Sequence, residues 1–123
     1  MNSLRKNAFD YYNKKLGSIK GIIVPDKPIG MEHVHHLYII KVTRKYGITR
    51  DILFQKLLKA GIRTSVHYKP LHEFTIFKQA SKIGDKLSNS RDVYSQILSL
   101  PIYPSISKEQ QNMVIKNIKK YKA

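Results

Sequence analysis

The chain has 123 residues, of which 41% are hydrophobic and 25% charged, and its formal net charge is +15. This length fits one compact domain, and the absence of cysteine excludes disulfides, thiolate metal sites and thiol nucleophiles. No apolar run approaches the roughly 20 residues of a membrane span, and the first ten residues lack the apolar core of a secretory signal, so we expect a cytoplasmic protein.

The first predicted element is a helix from Leu4 to Leu16. Leu4, Ala8, Tyr12 and Leu16 recur every four residues, which is the spacing of one helical face. Gly17 follows at the position where a helix prefers a C-terminal cap.

Two strands are predicted next. The run Ile22 to Val24 is β-branched and ends at Pro25, and residues 26–30 have the composition of a turn. The run His36 to Val42, HLYIIKV, is rich in β-formers and is the strongest strand signal in the chain.

A second helix is predicted after Thr49, which can cap it, with Gly61 just past its end. Arg63 to Tyr68 alternates in character, which predicts a third strand that Pro70 terminates. After this strand we expect a loop with a short helix. The second helix, which precedes the strand, has an apolar stripe that consists of Ile52, Leu53, Leu57 and Leu58.

The C-terminal part begins with a polar stretch, Ser81 to Arg91, which we expect to be mobile and to lead through a short turn or helix into residues 97–100. An extended LPIYP segment follows. Ser107 and Gln110 form a capping-box pattern, and the final helix has an apolar face. The order of elements predicts an α+β fold, a small and mostly antiparallel sheet flanked by helices. Core or core-edge positions are expected for Tyr11, Tyr12, Tyr38 and Tyr121, and for Val114, Ile115 and Ile118 of the final helix.

Signatures of common enzymes are absent from the sequence. No glycine-rich phosphate loop, HExxH, GxSxG or EF-hand pattern occurs, and acidic residues are too few for a convincing general acid and base pair. We therefore assign no catalytic residue.

Three histidines, His33, His35 and His36, suggest a metal site because imidazole is a common ligand of transition metals. In a strand His33 and His35 would share one face while His36 pointed the other way. No cysteine or well-placed carboxylate completes a tetrahedral set, so we favour solvated or locally bonded histidines and assign no metal ligand.

A polar and aromatic group, His67, Tyr68, Lys69 and His72, lies where a predicted strand meets a proline turn. Strand ends are common places for binding residues. The alternative is a tyrosine packed on the core with two histidines bonded to loop backbone, and the residues alone leave both interpretations open. Lys69 by itself is best explained as a solvated side chain.

The string GIRTSVHYKPLH, Gly61 to His72, resembles the small-domain motif of the DegT/DnrJ/EryC1/StrS aminotransferases, in which a strand carries His-Tyr-x-Pro-x-His. HLYIIKV before it and LSLPIYPSISKEQQNMVIKNIKKY after it stand in the order of that family. Residues 87–92 depart from it, because relatives commonly have a proline, a small residue and an acid there. The counterpart of the large N-terminal domain is absent from these 123 residues.

The resemblance implies the small domain of the aspartate-aminotransferase-like fold at residues 21–123, with residues 1–20 as an interdomain-type helix. Without its large-domain partner this helix should pack loosely and expose an apolar strip. The large domain would carry pyridoxal phosphate and its Schiff-base lysine, so this chain alone should bind no cofactor and be inactive. The full-length enzyme is expected to be a homodimer.

The resemblance also implies an activity, the transfer of an amino group, usually from glutamate, to a keto sugar linked to a nucleotide. Amino-sugar biosynthesis, for example for a surface polysaccharide, is the expected context. His67, Tyr68 and His72 would contact the sugar nucleotide as hydrogen-bonding groups.

The charge supports a different function. Lysine and arginine number 23 against 8 acidic residues, which favours attraction to nucleic acids, although no block of five or six like charges occurs. A solvated lysine-rich surface explains this distribution better, and loss of an acidic partner domain would produce the same imbalance. A basic nucleic-acid-binding module and a stand-alone interaction module remain the alternatives.

Overall fold

The computed structural model of the chain describes residues 2–26, 29–80 and 87–123. In chain order its elements are α1 (Asn2–Leu16), β1 (Ile22–Ile23), β2 (Tyr38–Val42), α2 (Arg50–Lys59), α3 (Thr75–Ala80), α4 (Ser88–Gln96), β3 (Ile97–Leu100) and α5 (Lys108–Tyr121). Short 3₁₀ turns lie at Arg44–Tyr46 and Leu71–Glu73. None of the helices within the described ranges combines the length and the apolar character needed to cross a bilayer.

The three strands form one antiparallel sheet with β2 in the centre and β1 and β3 at its sides. Tyr38 lies opposite Leu100, and Ile40 lies opposite Leu98. Because side chains alternate between the two faces of a strand, these four residues share one face. The α+β class with a small antiparallel sheet is therefore confirmed.

The hydrophobic core lies between that face of the sheet and the helices α1, α2 and α5. The predicted tyrosine positions are confirmed, since Tyr12 and Tyr38 are fully buried and Tyr11 and Tyr121 are half-buried against the core. The largest fully buried side chains are Tyr12, Tyr38, Tyr46, Phe9, Leu16, Ile40, Leu53, Leu57, Leu98 and Ile118.

Helix α1 is an integral part of this core, so the predicted exposed apolar strip is wrong. Of its apolar side chains, all of which the structure describes, Leu4 alone is exposed. Helix α5 and Tyr38 of β2 cover the rest, and the buried Gln111 side chain donates from Nε2 to the Ala8 carbonyl at 2.9 Å. The apolar face that the sequence offered to a missing partner is thus buried within the chain.

Both predicted helix caps are present. The Thr49 hydroxyl accepts a hydrogen bond from the Ile52 amide at 3.3 Å, at the start of α2. At the start of α5 the Ser107 hydroxyl accepts from the Gln110 amide at 3.2 Å, and the Gln110 side chain accepts from the Ser107 amide at 2.9 Å. These bonds satisfy backbone donors that a helix N-terminus otherwise leaves unpaired.

Two strand predictions need correction. The strand predicted from His36 begins at Tyr38, which lies opposite Leu100, the last residue of β3. Residues 36 and 37 extend beyond this end of β3, where Pro101 has no backbone N–H to donate. The strand predicted over Arg63 to Tyr68 reduces to a bridge between Ser65 and Ser99. Pro70 lacks a backbone donor and restricts the residue before it, so the chain leaves the sheet edge after this bridge.

The predicted short helix after Pro70 is confirmed by the 3₁₀ turn and α3. The predicted mobile stretch from Ser81 to Arg91 falls mostly on residues 81–86, which lie outside the described residues. The expected short helix before residues 97–100 is present as α4, and it begins at Ser88, inside the predicted stretch. Lys27 and Pro28 of the predicted 26–30 turn also lie outside the described residues.

Candidate functional site

The face of the sheet opposite the helices carries a buried serine. Ser99 lies opposite Ile39 and between Leu98 and Leu100, so its side chain points away from the helix-covered core. Only 5% of Ser99 is exposed. Its backbone amide donates to the Ser65 carbonyl at 2.8 Å and its carbonyl accepts from the Ser65 amide at 3.1 Å. This pair of bonds holds the segment after α2 against β3.

The bridge at Ser65 brings His67, two residues later, onto Ser99. The Nδ1 atom of His67 lies 2.8 Å from the Ser99 hydroxyl oxygen, a hydrogen-bond distance. The imidazole is half-buried, and its Nε2 atom remains accessible at the surface. His67 is therefore an anchored ring that offers one nitrogen outward.

Tyr68 lies beside this ring. The two ring centroids are 4.9 Å apart at an interplanar angle of 66°, and 72% of Tyr68 is exposed. The structure thus places the His67 and Tyr68 rings side by side at the surface, and their role in binding stays a prediction.

His72 has a different environment from the other two predicted site residues. It is buried, its Nε2 atom lies 3.8 Å from the Glu73 Oε1 atom, and among the described residues this nitrogen has no hydrogen-bond partner. The Arg91 Nε atom donates to the same Glu73 oxygen at 2.7 Å. The interior of the 71–73 turn therefore holds His72, away from solvent.

Large apolar side chains surround this region on the surface. We name residues 68–77 the 68–77 surface. Lys69 lies over it with its Nζ atom 5.1 Å from the Phe74 ring centroid, which is a cation–π distance. The exposed apolar members of the surface are Tyr68, Leu71, Phe74, Ile76 and Phe77. Their concentration over ten residues is typical of an interaction surface.

The histidines at 33–36 pack locally. His35 is buried edge-on against Phe9 with 4.8 Å between centroids, and its amide donates to His33 Nδ1 at 3.0 Å. His36 is exposed. Within the described part of the chain, no group of three His, Asp or Glu side chains is placed to hold a metal ion.

Lysines suited to covalent chemistry would need a buried pocket. Every lysine that the structure describes is exposed, apart from Lys41, which is half-buried in β2. Lys6, at a cavity of about 310 Å³ beside α1, is paired with Asp10 at 3.0 Å.

The side chains with raised pKa values are tyrosines of the hydrophobic core and not residues of the candidate site. Burial raises the pKa of the Tyr12, Tyr38 and Tyr46 hydroxyls.

Ser99 is the site residue that sequence reasoning missed. The segment LSLP is part of the extended run and of the family resemblance, but neither assigns a role to its serine, although the alternation contains a clue. A serine between two leucines in a buried strand points to the other face of the sheet and needs a hydrogen-bond partner there. That partner is 32 positions away in the chain, so alternation alone does not identify it.

Comparison with known proteins shows which proteins this chain is similar to. Residues 1–119 match the DegT/DnrJ/EryC1/StrS aminotransferase family. The spore coat polysaccharide biosynthesis protein SpsC of Bacillus subtilis is 31% identical over 122 residues, covering 97% of this chain and 31% of SpsC. A UDP-4-amino-4,6-dideoxy-N-acetyl-beta-L-altrosamine transaminase of Campylobacter jejuni is 35% identical over 80 residues, covering 64% of this chain and 21% of that protein.

A solved structure gives the same fold. Spr1654 from Streptococcus pneumoniae, in its PLP form, superposes with a TM-score of 0.83 at 28% identity. The alignment covers 98% of this chain and 31% of Spr1654. The chain therefore spans about a third of the length of SpsC and of this structure.

Proposed function

Since this chain belongs to the DegT/DnrJ/EryC1/StrS aminotransferase family, we propose that it is the small C-terminal domain of a sugar aminotransferase. In this proposal residues 1–20 provide the helix that adjoins the large domain and residues 21–123 form the small domain. The large domain, which carries the cofactor, corresponds to the two thirds of the relatives' length that this chain does not span.

Pyridoxal phosphate, the cofactor that the family implies, does not fit the described residues of this chain. Its Schiff-base lysine needs an enclosed pocket that also grips the phosphate and the pyridine nitrogen. The described lysines are surface groups, and Lys41, the half-buried one, lies within a strand of the sheet. We derive no chemical step through the cofactor from these residues and propose that the chain is inactive alone.

The role that we propose for this chain is to contact a nucleotide-linked keto sugar at the edge of the active site. The observation that supports it is the pair formed by His67, anchored on Ser99, and the exposed Tyr68. A neutral imidazole and a phenol can donate hydrogen bonds to sugar hydroxyls or phosphate without fixing a charge. His72 belongs to the proposed set only if association with the large domain opens the 71–73 turn.

The experiment combines the chain with a large domain. The purified chain is assayed for amino transfer from glutamate to a nucleotide-linked keto sugar, first alone and then joined to the large domain of a relative. We expect no turnover from the chain alone and turnover from the assembled protein. Turnover by the chain alone would refute the proposal.

The site is tested in the assembled protein. His67→Ala and Tyr68→Phe each remove one hydrogen bond to the substrate, which should lower kcat/KM by about tenfold or more. His36→Ala and Tyr121→Phe are the matched controls, because His36 is exposed and Tyr121 packs at the end of α5. Equal losses in variants and controls would argue against a substrate role.

The net charge of +15 is the observation that favours nucleic-acid binding as a second candidate function. The exposed lysines and arginines are spread over α1, α2 and α5, whereas a dedicated nucleic-acid module clusters them on one face. We expect weak binding of duplex DNA and RNA with little sequence preference. Submicromolar, sequence-selective binding at physiological salt would favour this second function.

A further inference from the structure

The Ser99 hydroxyl has a limited choice of hydrogen-bond partners. It is buried, and among the described residues His67 Nδ1 is the hydrogen-bond partner of its oxygen. A serine hydroxyl carries one donor hydrogen, and a buried donor without an acceptor is destabilising. The imidazole nitrogen at 2.8 Å is an acceptor within reach.

A neutral imidazole carries one N–H, on either nitrogen, and the hydrogen bond made by one nitrogen fixes the state of the other. If Ser99 donates to Nδ1, this nitrogen carries no hydrogen, and the proton resides on Nε2. If Nδ1 instead donated to Ser99, the serine hydrogen would remain unsatisfied in the interior. The first arrangement satisfies both groups.

We propose that Ser99 is a positioning residue that holds His67 in the Nε2–H tautomer, with that N–H directed outward. This inference rests on the proposed substrate role of His67 and makes it more specific. An outward donor selects an acceptor oxygen, a sugar hydroxyl or a phosphate, and disfavours a ligand that presents a donor at that position. Ser99 itself does not touch the ligand, because it is buried beneath the imidazole.

The backbone explains why this geometry is rigid. The Ser65 and Ser99 backbones exchange two hydrogen bonds, at 2.8 and 3.1 Å, which fix the distance between the two chain segments. Residue 67 lies two positions beyond the bridge, so its side chain returns to the same face as that of Ser65 while the chain stays extended. The ring is therefore held both by its own hydrogen bond and by the bridge.

The test is a tautomer measurement by NMR on the 123-residue chain labelled with ¹⁵N. Two-bond ¹H–¹⁵N correlations of the imidazoles are recorded at about pH 8.5, where an ordinary imidazole is neutral. His67→Gln identifies the His67 signals. We expect Nδ1 to resonate as an unprotonated nitrogen and Nε2 as a protonated one. The reverse pattern in the wild-type chain would overturn the proposal without any further variant.

Substitutions at Ser99 separate positioning from a purely structural role. In Ser99→Ala the two nitrogen resonances of His67 should converge, because the tautomers then interconvert, and Ser99→Thr, which retains the hydroxyl, should restore the separation. Ser65→Ala is the matched control, since it keeps the backbone bridge and removes an exposed hydroxyl. Unchanged His67 resonances in a folded Ser99→Ala chain would overturn the proposal.

These measurements use no sugar nucleotide, so they distinguish the failure of this inference from the failure of the proposed function. If the Nε2–H tautomer is found and His67→Ala leaves kcat/KM of the assembled enzyme unchanged, the proposed function fails while the role of Ser99 stands. If the Nδ1–H tautomer is found, the inference fails whatever His67 does in the enzyme.

Discussion

The two faces of the small sheet have different surroundings. One face carries Tyr38, Ile40 and Val42 and is covered by α1, α2 and α5. The opposite face carries Ser99 and contacts the segment that contains Ser65 and His67. The first face is closed by side chains of this chain alone. The second face carries the anchored imidazole of His67, and the 68–77 surface follows it in the chain. The proposed substrate site therefore lies on the face opposite the core.

This comparison shows that the chain has a closed core although it spans about a third of the length of SpsC. Helix α1 buries its apolar face against α5 and against Tyr38 of the sheet. The 68–77 surface, next to the proposed substrate site, exposes five large apolar side chains.

The largest expected effect comes from a substitution in the covered core. Leu57→Ala removes a fully buried side chain of α2 and should lower the free energy of unfolding by about 2–5 kcal/mol. Leu58→Ala is the matched control on the same helix, where the side chain is half exposed. Leu71→Ala, on the 68–77 surface, should change the free energy by less than about 0.5 kcal/mol. Urea unfolding followed by circular dichroism measures all three.

This comparison would fail if Leu71→Ala destabilised the chain as much as Leu57→Ala. Such a result would mean that the 68–77 surface belongs to a second core, which the exposure of Leu71, 68%, does not predict.

The second effect is a loss of stability in alkali. Burial raises the pKa of the Tyr12, Tyr38 and Tyr46 hydroxyls above the ordinary tyrosine pKa of 10.0. In the folded chain these hydroxyls therefore stay neutral when the pH rises above 10.0. The unfolded chain releases these protons from about pH 10 upward, so stability is fully present below that pH and falls above it. The expected slope is about 1.4 kcal/mol per pH unit for each tyrosine that ionises only on unfolding.

Denaturation curves between about pH 8 and pH 11.5 test this. Tyr46→Phe removes one titrating hydroxyl and should make the fall of stability with pH less steep. The variant also loses the hydrogen bond from that hydroxyl to the Ile118 carbonyl, which lowers stability at every pH. Tyr68→Phe, on the opposite face, is the control and should leave the slope unchanged. A stability that is flat through pH 11 would contradict the prediction.

Local sequence signals predicted the covered face well. The four-residue spacing in α1 and the Ser107 capping box act within one or two turns, so the sequence contains all the information they need. Pairing of strands is different, because it depends on which distant strand lies alongside. Residues Arg63 to Tyr68 alternate as a strand should, yet within this run only the backbone of Ser65 pairs with β3.

The candidate site shows the same limit. The motif placed His67, Tyr68 and His72 together, and adjacency in the chain is enough to bring His67 to Tyr68. Burial of His72 depends on how the 71–73 turn packs, and the contact between His67 and Ser99 depends on sheet register. Both are tertiary properties, which a pattern in one sequence does not contain.

A smaller effect is expected at the start of α5, where Ser107→Ala removes both the cap and half of the capping box. Loss of the hydroxyl leaves the Gln110 amide unpaired and should destabilise the chain by about 1 kcal/mol. Ser105→Ala, an exposed serine in the preceding turn, is the control. Urea midpoints that are equal for the two variants would show that α5 is fixed by its packing on α1 and α2 alone.

The smallest effect concerns the ion pair that joins the 68–77 surface to α4. Arg91 Nε and Glu73 Oε1 are 2.7 Å apart, but 54% of the arginine side chain and 26% of the glutamate side chain are exposed to solvent. Exposed pairs contribute about 0.2–1 kcal/mol, because solvent screens the charges and two long side chains must be held in place. A double-mutant cycle of Glu73→Gln and Arg91→Gln should therefore give a coupling energy in this range, and about 1 M salt should reduce it. Asp92→Asn, on the next residue of α4, is the control for a change in charge without loss of the pair. Amide exchange supplies a local readout, since the Phe74 amide donates to the Leu71 carbonyl at 3.0 Å within this turn and the Ile62 amide donates to the Leu57 carbonyl at 2.9 Å in the core. Arg91→Gln should speed exchange at Phe74 a few-fold and leave Ile62 unchanged, because the turn opens locally while the covered face stays intact. Equal acceleration at both amides would mean that the two faces open together, and the division of the molecule into a stable face and a binding face would then be wrong.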